Sequence, residues 1–410
     1  MHHTLRKNTE YCHGSAPSFL LWLKGSGSSI ITKFASRRSS RSNSIERILD
    51  RYIGIPLVFF MGMFRRRRLL PVSPDRIGLI QPTGIGDMIL VSGLILHLRQ
   101  CFPRAEIHIF HGATNAAATQ FLPIDIIGHC CVFKRPWTTL KKLRTMHLDV
   151  VINCAPWARL TAVIAAMSGA RAVVCFKSSG QFIHLVSDVA VPYLDNRHET
   201  ENHRAVAEQF GPLQQYKVCL RRVERPPRGA LPYRRLVLMH LAAGGSRAMQ
   251  KSWLISHWGE LARRLVAKGW IIGFTGLRQD LEIIRAVTEA GGLTEENHVK
   301  LADYLTLTEL AYVVVRARLL VSVDTGVAHF AAGLGAKVIG LYGPTSSWRW
   351  GAFNNGSIGL DAPHPAAGHI HLGFERHPQG NDVMASLSVD TVFSAVEMKL
   401  NEVDSRAVYG

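Results

Sequence analysis

The chain has 410 residues, 47% of them hydrophobic, and 48 Lys and Arg against 30 Asp and Glu, a formal net charge of +18. That length suits two or three domains, and that apolar fraction excludes wholesale disorder. Seven cysteines, an odd number with no C-x-x-C pair, exclude a disulfide scaffold and a zinc ribbon and fit a reducing compartment.

Half of the positive excess lies at the start. Residues 1–75 hold 13 Lys and Arg and four acids. Residues 1–44, rich in Ser, Arg and Gly without periodicity, read as a mobile segment. The apolar run Ile53–Phe64 follows, then Arg65 to Arg68. Twelve apolar residues fall short of the roughly 20 that a spanning helix needs. Arginines stand where a secretory signal would have a cleavage site. An amphipathic or shallowly inserted anchor among anionic headgroups fits this pattern. An ordinary core helix followed by a solvated charge run is the other reading, and a nucleic-acid arm a weaker third, since no reader module accompanies it.

From residue 76 short apolar runs alternate with helical stretches. Strands are expected at Arg76–Gln81, Glu106–Phe110, Leu148–Asn153 and Ala172–Cys175, and helices at Asp87–Phe102 and Ala158–Met167. The stretch Arg221–Arg235, RRVERPPRGALPYRR, reads as a linker. The alternation then restarts. Strands are expected at Leu236–His240, Ile271–Thr275, Leu319–Val323 and Lys337–Tyr342. Helices are expected at Leu254–Lys268, Arg278–Ala290, Thr308–Arg316 and Val327–Leu334, with Thr306 or Thr308 as a cap. Alternation of this kind implies two parallel, doubly wound sheets, whose ligands sit beyond the carboxyl ends of the strands.

Three motifs occupy such positions. Pro82-Thr83-Gly84-Ile85-Gly86-Asp87 follows the first strand. Its two glycines allow a close backbone approach, but a dinucleotide fingerprint would place a third glycine where Ile89 stands. Asp87 reads as a helix cap on bare spacing, or as a general base kept ionised by the helix start. Gly244-Gly245-Ser246 follows the first strand of the second half and leads to Lys251. It reads as a plain turn with a solvated lysine, or as a phosphate cradle. It is not a Walker A motif. Asp324-Thr325-Gly326 opens a helix carrying His329, which makes an anion site or a capped turn with a structural histidine.

Together these blocks resemble glycosyltransferase family 9, the ADP-heptose:lipopolysaccharide heptosyltransferases, over roughly residues 74–400. The resemblance rests on TGIGD, on AGGS…KSW…HW and on VSVDTGVAHFAAGLGAKVIGLYGPT. It implies an α/β chain with the GT-B fold, two Rossmann-like domains facing across a cleft. Residues 1–73 would form the basic segment with its anchor, 74–225 the acceptor domain and 233–400 the donor domain. The resemblance makes Asp87 the catalytic base. It makes Gly244, Gly245, Ser246, Lys251, Asp324, Thr325, Gly326 and His329 the donor-binding residues, with Thr83, Gly84 and Gly86 lining the acceptor side. The family offers a carboxylate to the donor ribose after the strand ending at Thr275; here Arg278 stands at that position and Asp280 two residues later.

Sugar transfer passes through an oxocarbenium-like state and needs a base on the acceptor and a stabilised leaving diphosphate. No Asp-x-Asp occurs in the chain, so no metal cofactor is expected and cationic side chains would take its place. The expectation is an inverting, metal-independent glycosyltransferase moving heptose or a related sugar from a nucleotide-sugar, ADP-heptose by resemblance, to a lipid-linked saccharide in lipopolysaccharide or exopolysaccharide assembly. It would work at the cytoplasmic face of the inner membrane, held to the anionic surface through residues 45–68, with no nucleic-acid partner. The alternative is a membrane-associated nucleotide-sugar binding protein without transfer activity. The loop Pro363–Asp382 carries four histidines, His364, His369, His371 and His377, and reads as a cleft-lining loop rather than a metal site.

Overall fold

The computed structural model describes residues 50–407 except 83, 132, 134, 224, 245–246, 354–355, 372–374 and 381, and side chains as far as residue 402. The segment 1–44 expected to be mobile lies outside the described residues, as do Thr83, Gly245 and Ser246.

Two six-stranded sheets carry the chain, and all the strand pairs in both are parallel. The first contains β1 (Arg76–Gln81), β2 (Glu106–His111), β3 (Ile127–Cys130), β4 (Val150–Asn153), β5 (Ala172–Lys177) and β6 (Val189–Pro192), in the order β3-β2-β1-β4-β5-β6. The second contains β7 (Leu236–His240), β8 (Ile271–Thr275), β9 (His298–Lys300), β10 (Leu319–Val323), β11 (Val338–Tyr342) and β12 (Ile358–Asp361), in the order β12-β11-β10-β7-β8-β9. Each half therefore reverses direction once, between β1 and β4 and between β7 and β10. Central strands such as β1, β4, β7 and β10 are buried apolar runs, as expected of a parallel sheet covered on both faces.

The helices are α1 (Gly54–Met63), α2 (Ile85–Leu90), α3 (Ser92–Cys101), α4 (Pro136–Thr145), α5 (Arg159–Met167), α6 (Glu199–Ala207), α7 (Ile255–Ala267), α8 (Leu281–Ala290), α9 (Leu307–Arg316), α10 (Gly326–Gly333), α11 (Ser347–Trp350) and α12 (Val389–Ala407). Thr306 caps α9 and forms a capping box with Glu309. The single helix expected over Asp87–Phe102 is two. The Tyr216 hydroxyl accepts from the Leu94 N–H at 3.0 Å and donates to the Leu90 carbonyl at 2.7 Å. It thus occupies the place of one i→i−4 bond, and an inserted side chain of this kind breaks a helix. Gly93 makes room, because a Cβ there would lie 2.5 Å from the Tyr216 ring.

The linker is stitched to both halves rather than loose. Arg221 N–H donates to Phe121 O of the first half at 2.7 Å, and Arg225 N–H donates to Thr308 O of the second at 3.3 Å. Beneath it one apolar cluster spans the seam, with Ile89 and Phe121 from the first half packed against Phe330, Ala331 and Ala332 from the second. The Phe121 and Phe330 rings meet edge-on at 4.8 Å.

The N-terminal apolar run forms α1, docked on the first half. Val58 is fully buried, Phe59 meets Phe182 at 5.0 Å, and a Cβ on Gly62 would lie 2.9 Å from Leu185. Ion pairs pin both flanks, Asp50 with Arg159 and Arg65 with Asp188. The opposite face is apolar and exposed: Phe60, Met63 and Phe64 are 61%, 74% and 70% exposed. α1 is thus neither a core helix nor amphipathic, since no polar side chain lies within it. Among the described residues no helix is long and apolar enough to cross a membrane.

Candidate functional site

In open α/β sheets the loops after the strands flanking the reversal point form the ligand site. The three sequence motifs follow β1, β7 and β10, which are three of the four strands at the two reversal points. The fold therefore brings the motifs to one place.

After β1, Gly84 precedes α2 with φ +83°, and a Cβ there would overlap Asp87 Oδ2. Only glycine satisfies both demands. The cap position belongs to Gly84, so Asp87 is not the cap its spacing suggested; it sits at the third residue of α2 with its buried carboxylate folded back over Gly84. Gly86 faces the other half. A Cβ on it would lie 3.0 Å from His329 Cδ2, and one on Gly326 would lie 3.0 Å from Gly86 N. The backbone carrying the candidate base thus touches the start of the helix carrying the candidate donor site.

After β10, Thr325 caps α10, its Oγ1 accepting from Ala328 N–H at 3.4 Å. Asp324 Oδ2 accepts from Lys251 Nζ at 2.6 Å and from Thr345 Oγ1 at 3.0 Å. Burial works to raise this carboxyl, but Lys251, His329 and the Thr345 hydroxyl outweigh it and hold the carboxyl below the usual range. The pairing changes the reading of Lys251. It is a half-buried partner of Asp324 at the end of a 3₁₀ turn (Ala248–Lys251), not a solvated mobile charge. Trp253 and Trp258 fix this turn, because both are buried with rings 5.1 Å apart and Trp253 Nε1 donates to Leu387 O at 2.9 Å. Gly244 is exposed, with open space where its side chain would be.

Asp280, the second candidate for the ribose, accepts from Leu277 N–H at 2.9 Å and is buried against Gly276. It closes its own turn. In the histidine-rich loop, His369 and His377 have ring centroids 5.7 Å apart. Among the described residues no group of three or more His, Cys, Asp or Glu is gathered closely enough to hold a metal ion.

Residues to which the sequence assigned no role border the site. Thr345, which only ends the third motif block, is one. Tyr193, Glu199 and Arg349, all buried, and the half-buried His198 are the others, where the halves meet. Burial pushes Glu199 up to about 7, against the pull of Tyr193 and Arg349, and Asp87 adds to the rise. The only linear signal was Arg349 between two tryptophans, which a periodicity argument does not register.

A family model described as "Glycosyltransferase family 9 (heptosyltransferase)" matches residues 137–369, more than half of the chain. Lipopolysaccharide heptosyltransferase 1 of Pseudomonas aeruginosa is 36% identical over 137 residues, 33% of this chain and 36% of the relative. The chain therefore aligns with only about a third of that protein's length. Lipopolysaccharide core heptosyltransferase OpsX of Haemophilus influenzae is 23% identical over 300 residues, 70% of this chain and 84% of the relative. Among solved structures, the E. coli ADP-heptose LPS heptosyltransferase II superposes with a TM-score of 0.65 at 17% identity, over 80% of this chain and 99% of that one. The two facing Rossmann-like halves are those of the GT-B fold.

Proposed function

Because the chain belongs to glycosyltransferase family 9, the heptosyltransferases, we propose that it moves heptose or a related sugar from a nucleotide-sugar, ADP-heptose first among candidates, onto a lipid-linked saccharide in lipopolysaccharide or exopolysaccharide assembly. The observation that carries this reading is the contact of the Gly86 backbone, next to Asp87, with the helix start at Gly326, beside the Lys251–Asp324–Thr345 network. The candidate base on one half directly follows the residue that touches the helix start on the other.

In this mechanism the acceptor hydroxyl oxygen attacks the anomeric carbon as the bond from that carbon to the diphosphate oxygen breaks. Asp87 takes the hydroxyl proton, and the electron pair leaves with the nucleoside diphosphate. A single displacement inverts the anomeric centre. Lys251, Thr325 and the α10 N-terminus stabilise the departing charge with preorganised donors, which is the work a metal does in sites built on paired carboxylates. The test is calorimetric binding of ADP, UDP, GDP and CDP with EDTA present, followed by transfer from ADP-heptose. Selective ADP binding and heptose transfer are expected. Binding of another nucleotide moves the donor, and ADP binding with no transfer to any lipid-linked acceptor overturns the enzymatic reading.

The same reading places the protein on the cytoplasmic face of the inner membrane. Residues 45–49 lie outside the described residues, but α1 supplies an exposed apolar face and Arg66, Arg67 and Arg68 are exposed beside it. Arg65 is already paired with Asp188, so three arginines remain for headgroups, each worth about 1 kcal/mol near an anionic surface. Flotation with vesicles containing phosphatidylglycerol is expected to carry the protein. Replacing Phe60 and Phe64 with Ser is expected to release it, and equal binding to neutral vesicles would sink the electrostatic part.

A further inference from the structure

A set of buried polar groups joins the two halves beside the site, and the transfer chemistry does not use it. Arg349 on α11 is fully buried. Its Nη2 donates to the Tyr193 hydroxyl at 2.9 Å and lies 3.7 Å from Glu199 Oε2. Its Nη1 reaches the carbonyls of Leu194 at 3.4 Å and Arg197 at 3.5 Å. The Tyr193 hydroxyl donates to Glu199 Oε2 at 2.7 Å, and Asn202 Nδ2 donates to the same oxygen at 3.3 Å. Beside them His198 Nδ1 accepts from Thr200 N–H at 3.2 Å, and its Nε2 bonds Gly351 O at 3.1 Å. Burial pushes His198 down to about 4. The ring is therefore neutral, with its acceptor on α6 and its donor across the seam.

This set lies between the two parts of the site. On the donor side, the segment leading into Arg349 carries Thr345, whose hydroxyl donates to Asp324. On the acceptor side, the charge of Asp87 is felt by both Tyr193 and Glu199. The groups facing Glu199 are Tyr193, Arg349, Asp87, Tyr216 and His203, whose Nε2 is 3.9 Å from Oε1. A guanidinium fork engaging one hydroxyl and two carbonyls fixes orientation as well as distance, which a lysine in its place would not do. Removing it leaves a buried carboxyl without its cation.

We propose that Arg349, Tyr193 and Glu199 are positioning residues, an interdomain clamp that holds the Thr345–Arg349 segment of the donor half in register with Asp87 and so sets the rate of transfer rather than the affinity for the donor. This rests on the transfer reading above. None of the three needs to touch either substrate. The clamp acts through the spacing of the base and the leaving-group site, where small misplacements are costly.

The test uses the full chain carrying Arg349→Met, Arg349→Lys or Glu199→Gln. Each variant is followed by calorimetry with ADP, by kcat and KM for heptose transfer from pH 5.5 to about 8.5, a window spanning the Glu199 value, and by small-angle scattering. Arg349→Met is expected to lower kcat by roughly 10- to 100-fold, to keep ADP affinity within about threefold, and to enlarge the radius of gyration. Arg349→Lys is expected to recover part of kcat. Glu199→Gln is expected to fold and to lose the kcat inflection near pH 7. Parallel losses of kcat and ADP affinity, or an Arg349→Met scattering curve that overlays the wild type at unchanged kcat, overturn the clamp. Should Arg349→Met not fold, an unaltered inflection in Glu199→Gln overturns it alone. If the wild type transfers no heptose, the functional reading falls, and the scattering of Arg349→Met still decides the clamp.

Discussion

The two halves share one topology and carry opposite electrostatics. In the first, the candidate base Asp87 lies near a second carboxyl, Glu199, which burial pushes up to about 7. In the second, burial works against the charge of Asp324, but Lys251 at 2.6 Å holds its carboxyl down. One fold thus holds a carboxyl raised by burial in one half and a carboxyl lowered by a lysine partner in the other. The difference lies in residues that follow the strands, Asp87 after β1 and Glu199 after β6 against Lys251 after β7 and Asp324 after β10, where an open α/β sheet leaves sequence free to vary. The halves meet through glycine, since Gly86 and Gly326 are placed so that a side chain on either would press on the other half.

The largest expected effect breaks the first half's role alone. Asp87→Asn keeps the shape that Gly84 accommodates but removes the proton acceptor. Transfer is expected to fall by about 10²–10⁴-fold, the usual worth of a general base, while ADP affinity and the melting temperature stay near wild type. Normal turnover by this variant would move the base elsewhere, and a large fall in ADP affinity would mean that Asp87 serves the donor instead.

A second experiment sharpens the electrostatic contrast by its sign. Glu199 is raised in the folded state, so its neutral form suits the fold. Its contribution is fully present below the unfolded value near 4.5 and is lost as pH rises to about 7. Asp324 is depressed, so its contribution is present above the unfolded value near 3.8 and is lost as pH falls through the lower folded value. Urea unfolding between pH 4.5 and 7.5 is expected to show Glu199→Gln gaining on the wild type as pH rises, by up to about 3 kcal/mol. Lys251→Met is expected to flatten the acid limb below about pH 4 instead. Parallel pH curves for the wild type and Glu199→Gln would mean that the buried carboxyl is ionised throughout.

Much of this frame was legible in the sequence because parallel strands buried on both faces read as apolar runs. Arg76–Gln81, Leu236–His240, Ile271–Thr275 and Leu319–Val323 have the expected bounds. The edges were not legible. β3, β6, β9 and β12 have three or four residues each with mixed burial, too short to show a period. The break at Val91 was hidden because its cause, Tyr216, lies more than a hundred residues away. The site was half legible. Glycines and an aspartate after a strand announce themselves, and Lys251 stood out as a cation, although its pairing with Asp324 did not. Tyr193, Glu199 and Arg349 stayed hidden because patterning assigns charged residues to the surface, and here they are buried by contact between halves that are far apart in sequence.

The smallest expected effect separates a cap from a ligand. Thr325 Oγ1 accepts from Ala328 N–H at 3.4 Å and lies 3.3 Å from Ser322 Oγ. The distance is long, so Thr325→Ala is expected to cost no more than about 1 kcal/mol in urea unfolding, with Thr325→Ser near wild type. ADP affinity then discriminates. If the hydroxyl only caps α10, both variants bind ADP as the wild type does. If it also meets the diphosphate, Ala loses affinity beyond its stability cost and Ser retains it. The first half offers no equivalent experiment: its cap, Gly84, has no side chain to spare, and a serine there would collide with Asp87. A helix start that bears a hydroxyl can both hold its helix and bind an anion, whereas one that must yield to a carboxylate can only make room for it.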